Sequence, residues 1–298
     1  LRPAGERGRP GLRERPRVPA GDLAPARTPL SLSGFAAEVR DELADALAPF
    51  GLDPVQGGGS GRETEGPASF EPGGAIGVQL IRGDMTATGI GTVTALRGDR
   101  VLAFGHPMLN FGEGELPVAT ARIHTVVASL NRSNKIGSPI REAGSLVQDR
   151  QAGIVADATR TAPMTPVRLV LRDERGRRLD QFDLEVASHP LLTARFLRAA
   201  LVSAIRNAAS DVADVTAEIE GRLRLAGRDE PVVVRDSGAS RTGLLALTGY
   251  FRPIALVGLL LSNPFEDVAI ESIEYDVRLE YRRKVARVVG VYLTTEEP

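Results

Sequence analysis

The run from Thr88 to Asn110, TGIGTVTALRGDRVLAFGHPMLN, constrains this chain more than any other stretch. The apolar and β-branched pattern Thr92-Val93-Thr94-Ala95-Leu96, the turn residues Gly98 and Asp99, and the second run Val101 to Phe104 form a hairpin signature. Gly105 and Pro107 then break the ladder on either side of His106. Glycine turns the backbone without a Cβ penalty, while proline fixes its own φ and removes a donor. The pattern predicts an imidazole held at a strand exit, a placement that suits a general base.

Two groups of residues carry a family resemblance. Gly91-Thr92-Val93-Thr94 with Phe104-Gly105-His106 makes a strand pair of the type GT(V/M)T…(F/L)GH, and Gly137-Ser138-Pro139 leads through Gly144 to Gly153-Ile154. From Gly73 to about Pro190 the chain thereby resembles the SpoIVB-type serine peptidases (peptidase family S55). The resemblance implies a trypsin-like β-barrel peptidase domain followed by an α+β extension, mainly β overall. It also implies peptide-bond hydrolysis, a protein or peptide substrate, and an exported or cell-envelope location. His106 takes the family's base position.

A hydroxyl is a poor nucleophile at neutral pH, so an imidazole must take its proton and a carboxylate must hold the right tautomer. In the family the serine sits in a glycine-rich GxSGSP-like turn, and this chain has none. The nearest literal match is Gly137-Ser138-Pro139, which lacks the preceding Ser-Gly, so Ser138 is the candidate nucleophile within the chain. The resemblance implies that the family's serine segment lies upstream of Leu1, as in long relatives where it precedes the GHP segment. Asp149, Asp157 and Asp99 are all conceivable orienting carboxylates. The competing reading is a catalytically inactive β-rich binding or scaffold module of the cell envelope, since fold similarity does not fix activity.

Composition narrows the remaining classes. A net charge of −1 gives no global pull toward nucleic acid or an anionic membrane. The absence of cysteine removes disulfides and thiolate chemistry. The three histidines, with no HExxH and no close pair, argue against a zinc site, and no cofactor is expected. His124 reads as a strand residue and His189 as a capping or packing residue at a strand-to-helix junction. Glu113 and Glu115, in FGEGEL, are an acid pair, a hard-cation site or, most simply, a solvated loop. Gly89-Ile90-Gly91 and Gly112-Glu113-Gly114 lack the βαβ context of a nucleotide site. No run reaches the roughly 20 apolar residues of a membrane span; the longest, Ile254 to Leu261, stops at Ser262-Asn263-Pro264.

Four segments follow. Residues 1–30 are arginine- and proline-rich and predict disorder. Residues 31–66 hold a short amphipathic helix, capped by Ser33, and a Gly-rich linker from Gln56 to Pro67. Residues 67–190 form the peptidase-like β domain. Residues 191–298 form the α+β extension, with a helix over Pro190 to Ala209, an apolar helical stretch around Leu244 to Leu261, and a closing strand pair, Val268 to Tyr281 with Val285 to Thr294.

Overall fold

The computed structural model describes residues 27–57, 66–127, 134–208, 214–240 and 251–282, with 284, 286, 287, 289 and 290. The chain is mainly β, with 53% strand and 17% helix. In order, it forms β1 (Thr28–Ser33), α1 (Ala37–Leu47), β2 (Leu52–Gln56), β3 (Ala75–Gly83), β4 (Thr86–Arg97) and β5 (Arg100–Ala103). Then come β6 (Gly112–Val127), β7 (Asn134–Arg150), β8 (Gly153–Asp157), β9 (Met164–Arg172), β10 (Arg178–Ala187) and α2 (Thr193–Ala208). The last elements are β11 (Val215–Leu225), β12 (Val232–Ser240), α3 (Arg252–Leu261) and β13 (Ile270–Glu280).

All these strands join one sheet, in the order β12-β11-β13-β9-β10-β3-β6-β7-β8-β5-β4-β1-β2. The sheet as a whole is open at β12 and β2 and is not a closed barrel, which corrects the barrel expectation at that level. The reason is that β9 and β10 carry the ladder outward from β3 and into the C-terminal strands. An additional pairing, β3 with β4, draws six antiparallel strands into a circuit: β3-β4-β5-β8-β7-β6 and back to β3. Strand β5 pairs with β8 rather than with its successor β6, a Greek-key connection.

The C-terminal half of the sheet alternates cleanly. Val167, Leu169 and Leu171 of β9 and Ile273, Tyr275, Val277 and Leu279 of β13 are buried, while Arg168, Glu274 and Arg278 between them are exposed. The buried face is covered by α2 and α3. Helix α2 is apolar on nearly every side, with Phe196, Leu197, Ala200, Leu201, Ala204 and Ile205 each at most 1% exposed. Such a helix must be wrapped, and β9, β10, α1 and α3 do so. Each fully buried Leu or Phe contributes about 1.5–3 kcal/mol.

Several sequence expectations are corrected. Strand β1 begins at Thr28, inside the segment expected to be disordered; residues 1–26 lie outside the described residues. Ser33 ends β1 and caps nothing: α1 starts from Ala36, whose amide instead donates to Ser203 Oγ of α2 at 3.1 Å. Strands β7 and β8 pair as an antiparallel hairpin. Strand β13 pairs with β11 and β9 rather than with a following hairpin partner, and most of Val285–Thr294 lies outside the described residues. Residues 58–65 of the linker and 241–250 of the apolar stretch also lie outside them.

Candidate active site around His106

The two halves of the GT…GH pattern are one packed unit. The Phe104 amide donates to the Thr92 carbonyl at 3.0 Å, and the Phe104 ring lies directly over Gly91. A Cβ at position 91 would fall inside that ring, so only glycine fits there. Phe104 then takes a left-handed backbone, φ +73°, and Gly105 another at +75°. Two successive left-handed residues swing the chain off the end of β5 and present His106. The closing glycine of the second motif belongs to the same corner: a Cβ on Gly153 would sit 2.8 Å from the Ala103 carbonyl, and Ile154 pairs with Ala103.

His106 is half-buried, with its ring 5.6 Å from that of Phe104. Its Nδ1 lies 2.8 Å from the Pro107 carbonyl. A carbonyl only accepts, so Nδ1 carries the proton, and in the neutral ring Nε2 keeps its lone pair. No described residue bonds Nε2. The same Pro107 carbonyl also accepts from Thr28 Oγ1 at 3.5 Å, which ties the loop to β1.

Of the three conceivable carboxylates, only Asp149 lies at the His106 end of the circuit. Asp149 pairs in register with Ile154, the partner of Ala103, whereas Asp157 pairs with Arg100 at the other end of β5, beside Asp99 in the β4–β5 turn. Asp149 is fully buried and accepts the amides of Met108 at 2.8 Å, Leu109 at 2.6 Å and Asn110 at 2.8 Å. It shapes the loop through the backbone beyond His106; the ring's own Nδ1–H goes to Pro107. Asp157 instead accepts from the hydroxyl and amide of Thr159, which, with Arg100 and Arg160, hold its carboxyl below the usual value.

The remaining candidates separate. Ser138, on β7, is bonded not to His106 but to His124 on β6, with Oγ 2.8 Å from Nε2. Glu113 and Glu115 lie in β6 rather than in a loop, and each faces an arginine: Arg150 at 3.4 Å and Arg160 at 3.7 Å. Among the described residues no group of His, Asp and Glu is arranged to hold a metal ion, and no helix is long and apolar enough to cross a membrane. His189 does cap the approach to α2: its amide donates to Thr193 Oγ1, and its Nδ1 accepts the Leu191 amide at 3.2 Å. Its ring meets Phe111 of the His106 loop edge-on at 5.8 Å, and burial lowers its pKa.

The arrangement offers an imidazole with a bonded Nδ1–H and an Nε2 that no described residue bonds, on a corner braced by a buried carboxylate. Compared with known proteins, the chain matches no family model, no curated protein and no solved structure.

Proposed function

We propose that the chain is the base-bearing part of a SpoIVB-like serine peptidase, with a trypsin-like β-barrel in the six-strand circuit and His106 as general base. The observation that carries this reading is the state of His106: Nδ1–H is engaged by Pro107, leaving Nε2 to take a proton from a hydroxyl and return it to the leaving amine. The Greek-key order of the circuit and the contact between the two motif halves add support. The nucleophile in this reading is the family's serine, supplied from outside the segment described; Ser138 is engaged elsewhere.

The test is cleavage of a protein substrate by the product of the full reading frame, native and His106→Ala. Loss of at least about 100-fold in kcat/KM, with thermal unfolding unchanged, supports the reading. Full proteolysis by the variant rejects it. The rival, a β-rich binding or scaffold module of the cell envelope, draws on the fact that no described hydroxyl bonds His106 Nε2. That module would show no His106-dependent cleavage of any substrate.

A further inference from the structure

We propose that Ser138 and His124 form a separate nucleophile–base pair that accepts acyl groups from activated esters, independently of His106. The pair rests on one hydrogen bond, Ser138 Oγ to His124 Nε2 at 2.8 Å, and on a backbone that holds both partners. Ser138 pairs in register with Arg122, and the ladder then slips: Ile123 pairs with Gly137 but Thr125 with Ile136. His124 is the extra residue of this bulge. A bulge re-aims the side chain it carries, and here it brings an exposed imidazole over the hydroxyl of the facing strand.

The serine's own backbone is pinned on both sides. The Gly137 carbonyl accepts from Ser31 Oγ at 3.0 Å, and a Cβ at Gly137 would collide with the Arg122 carbonyl, so the strands approach too closely for any other residue. Pro139 fixes the φ that follows. A site carried on paired strands holds its geometry better than one on a loop. Ser138 is half-buried and His124 exposed, so a small ester can reach the hydroxyl directly.

With its proton on Nδ1, His124 accepts from the serine hydroxyl through Nε2. Ser138 Oγ forms a bond to the ester's carbonyl carbon while its proton passes to Nε2. The carbon–oxygen bond to the leaving group then breaks, and that oxygen takes the proton from Nε2. The products are an acylated Ser138 and the free alcohol, with no redox change.

The experiment treats the chain with p-nitrophenyl acetate, follows nitrophenol release, and maps the acetyl group by peptide mass. Acetylation is expected on Ser138 and absent in Ser138→Ala. His124→Ala is expected to slow it by about 100-fold, the scale of a lost general base, and added imidazole to restore part of the rate. A purely structural His124 would give no imidazole rescue. Acetyl found only on other residues, or acylation of Ser138 at the native rate in a folded His124→Ala chain, overturns the proposal.

Discussion

Leu109 gives its amide to Asp149 Oδ2 at 2.6 Å, joining the loop after β5 to a strand that lies 40 residues further along the chain. The flanking amides of Met108 and Asn110 reach the same carboxylate at 2.8 Å each. Three donors converging on one buried acceptor hold the loop, since releasing it would leave a buried carboxylate without its hydrogen bonds. His106 inherits its position from that anchor.

Asp149→Asn keeps the shape but offers one acceptor oxygen in place of two, and turns an NH2 group toward amides that need an acceptor. Hydrogen bonds to charge contribute about 1.5–3 kcal/mol, and an unsatisfied buried donor costs a similar amount. The expected loss is about 3 kcal/mol in urea unfolding, with faster amide exchange at residues 108–110. A loss under about 0.5 kcal/mol, on the scale of a neutral surface change, would show that the loop is held by something else.

Gly91→Ala tests the packed unit from the other side. The new methyl would occupy the space of the Phe104 ring, and Phe104 itself carries the first left-handed residue of the turn that presents His106. Overpacking of this kind costs about 1–3 kcal/mol. The ring current of Phe104 on the His106 protons should also change, because the two rings are 5.6 Å apart. Unchanged imidazole chemical shifts in the variant would mean that the corner does not depend on this contact.

The sequence reveals what is local here and hides what depends on register. The β4–β5 hairpin, its exit histidine and helix α2 follow from turn residues and from period, and they fold where those signals point. Asp149 could not be told from Asp157 or Asp99, because which end of β5 each reaches is decided by pairing with β8. The Ser138–His124 contact depends on a one-residue slip between β6 and β7 that neither strand announces. Strand β1 is masked by its arginine- and proline-rich approach, and β2 by Pro54, which a central strand would not tolerate but an edge strand does. Glu113 and Glu115 read as a loop because glycines flank them, yet long-range pairing carries β6 through that stretch.

Arg82 spans three strands. From β3 it forms a two-point contact with Glu185 of β10, at 2.5 and 3.2 Å, and a third bond with Glu142 of β7. Glu185 first, and then Glu142, hold its guanidinium above the ordinary value. Arg82→Met leaves two carboxylates facing each other across β3, and the expected loss is about 1–2 kcal/mol at low salt, shrinking as salt screens the repulsion. Arg82→Lys cannot reproduce the fork and should recover less than half. Equal urea midpoints for the native chain and Arg82→Met at low salt would show that the contact contributes nothing.

Acid should weaken the fold in two stages. Burial lowers the pKa of His189, so below about pH 6.5 the unfolded chain binds a proton there more readily than the folded one. Stability is therefore full above that pH and declines as pH falls through the range between the unfolded and folded values. The second stage belongs to carboxylates whose pKa values are lowered: Asp157 by Thr159, Asp183 by Arg168, Glu220 by Arg235 and Glu280 by Lys284. Their contribution is intact above about pH 4 and is lost as pH falls through the lower folded values. His189→Gln keeps an acceptor for the Leu191 amide but removes the titration, so its urea midpoint should stay flat from pH 7 to 5 where the native chain declines. Both chains should then fall together below pH 4. If the two curves superimpose down to pH 5, the ring of His189 is not sheltered from protonation by its packing against Phe111.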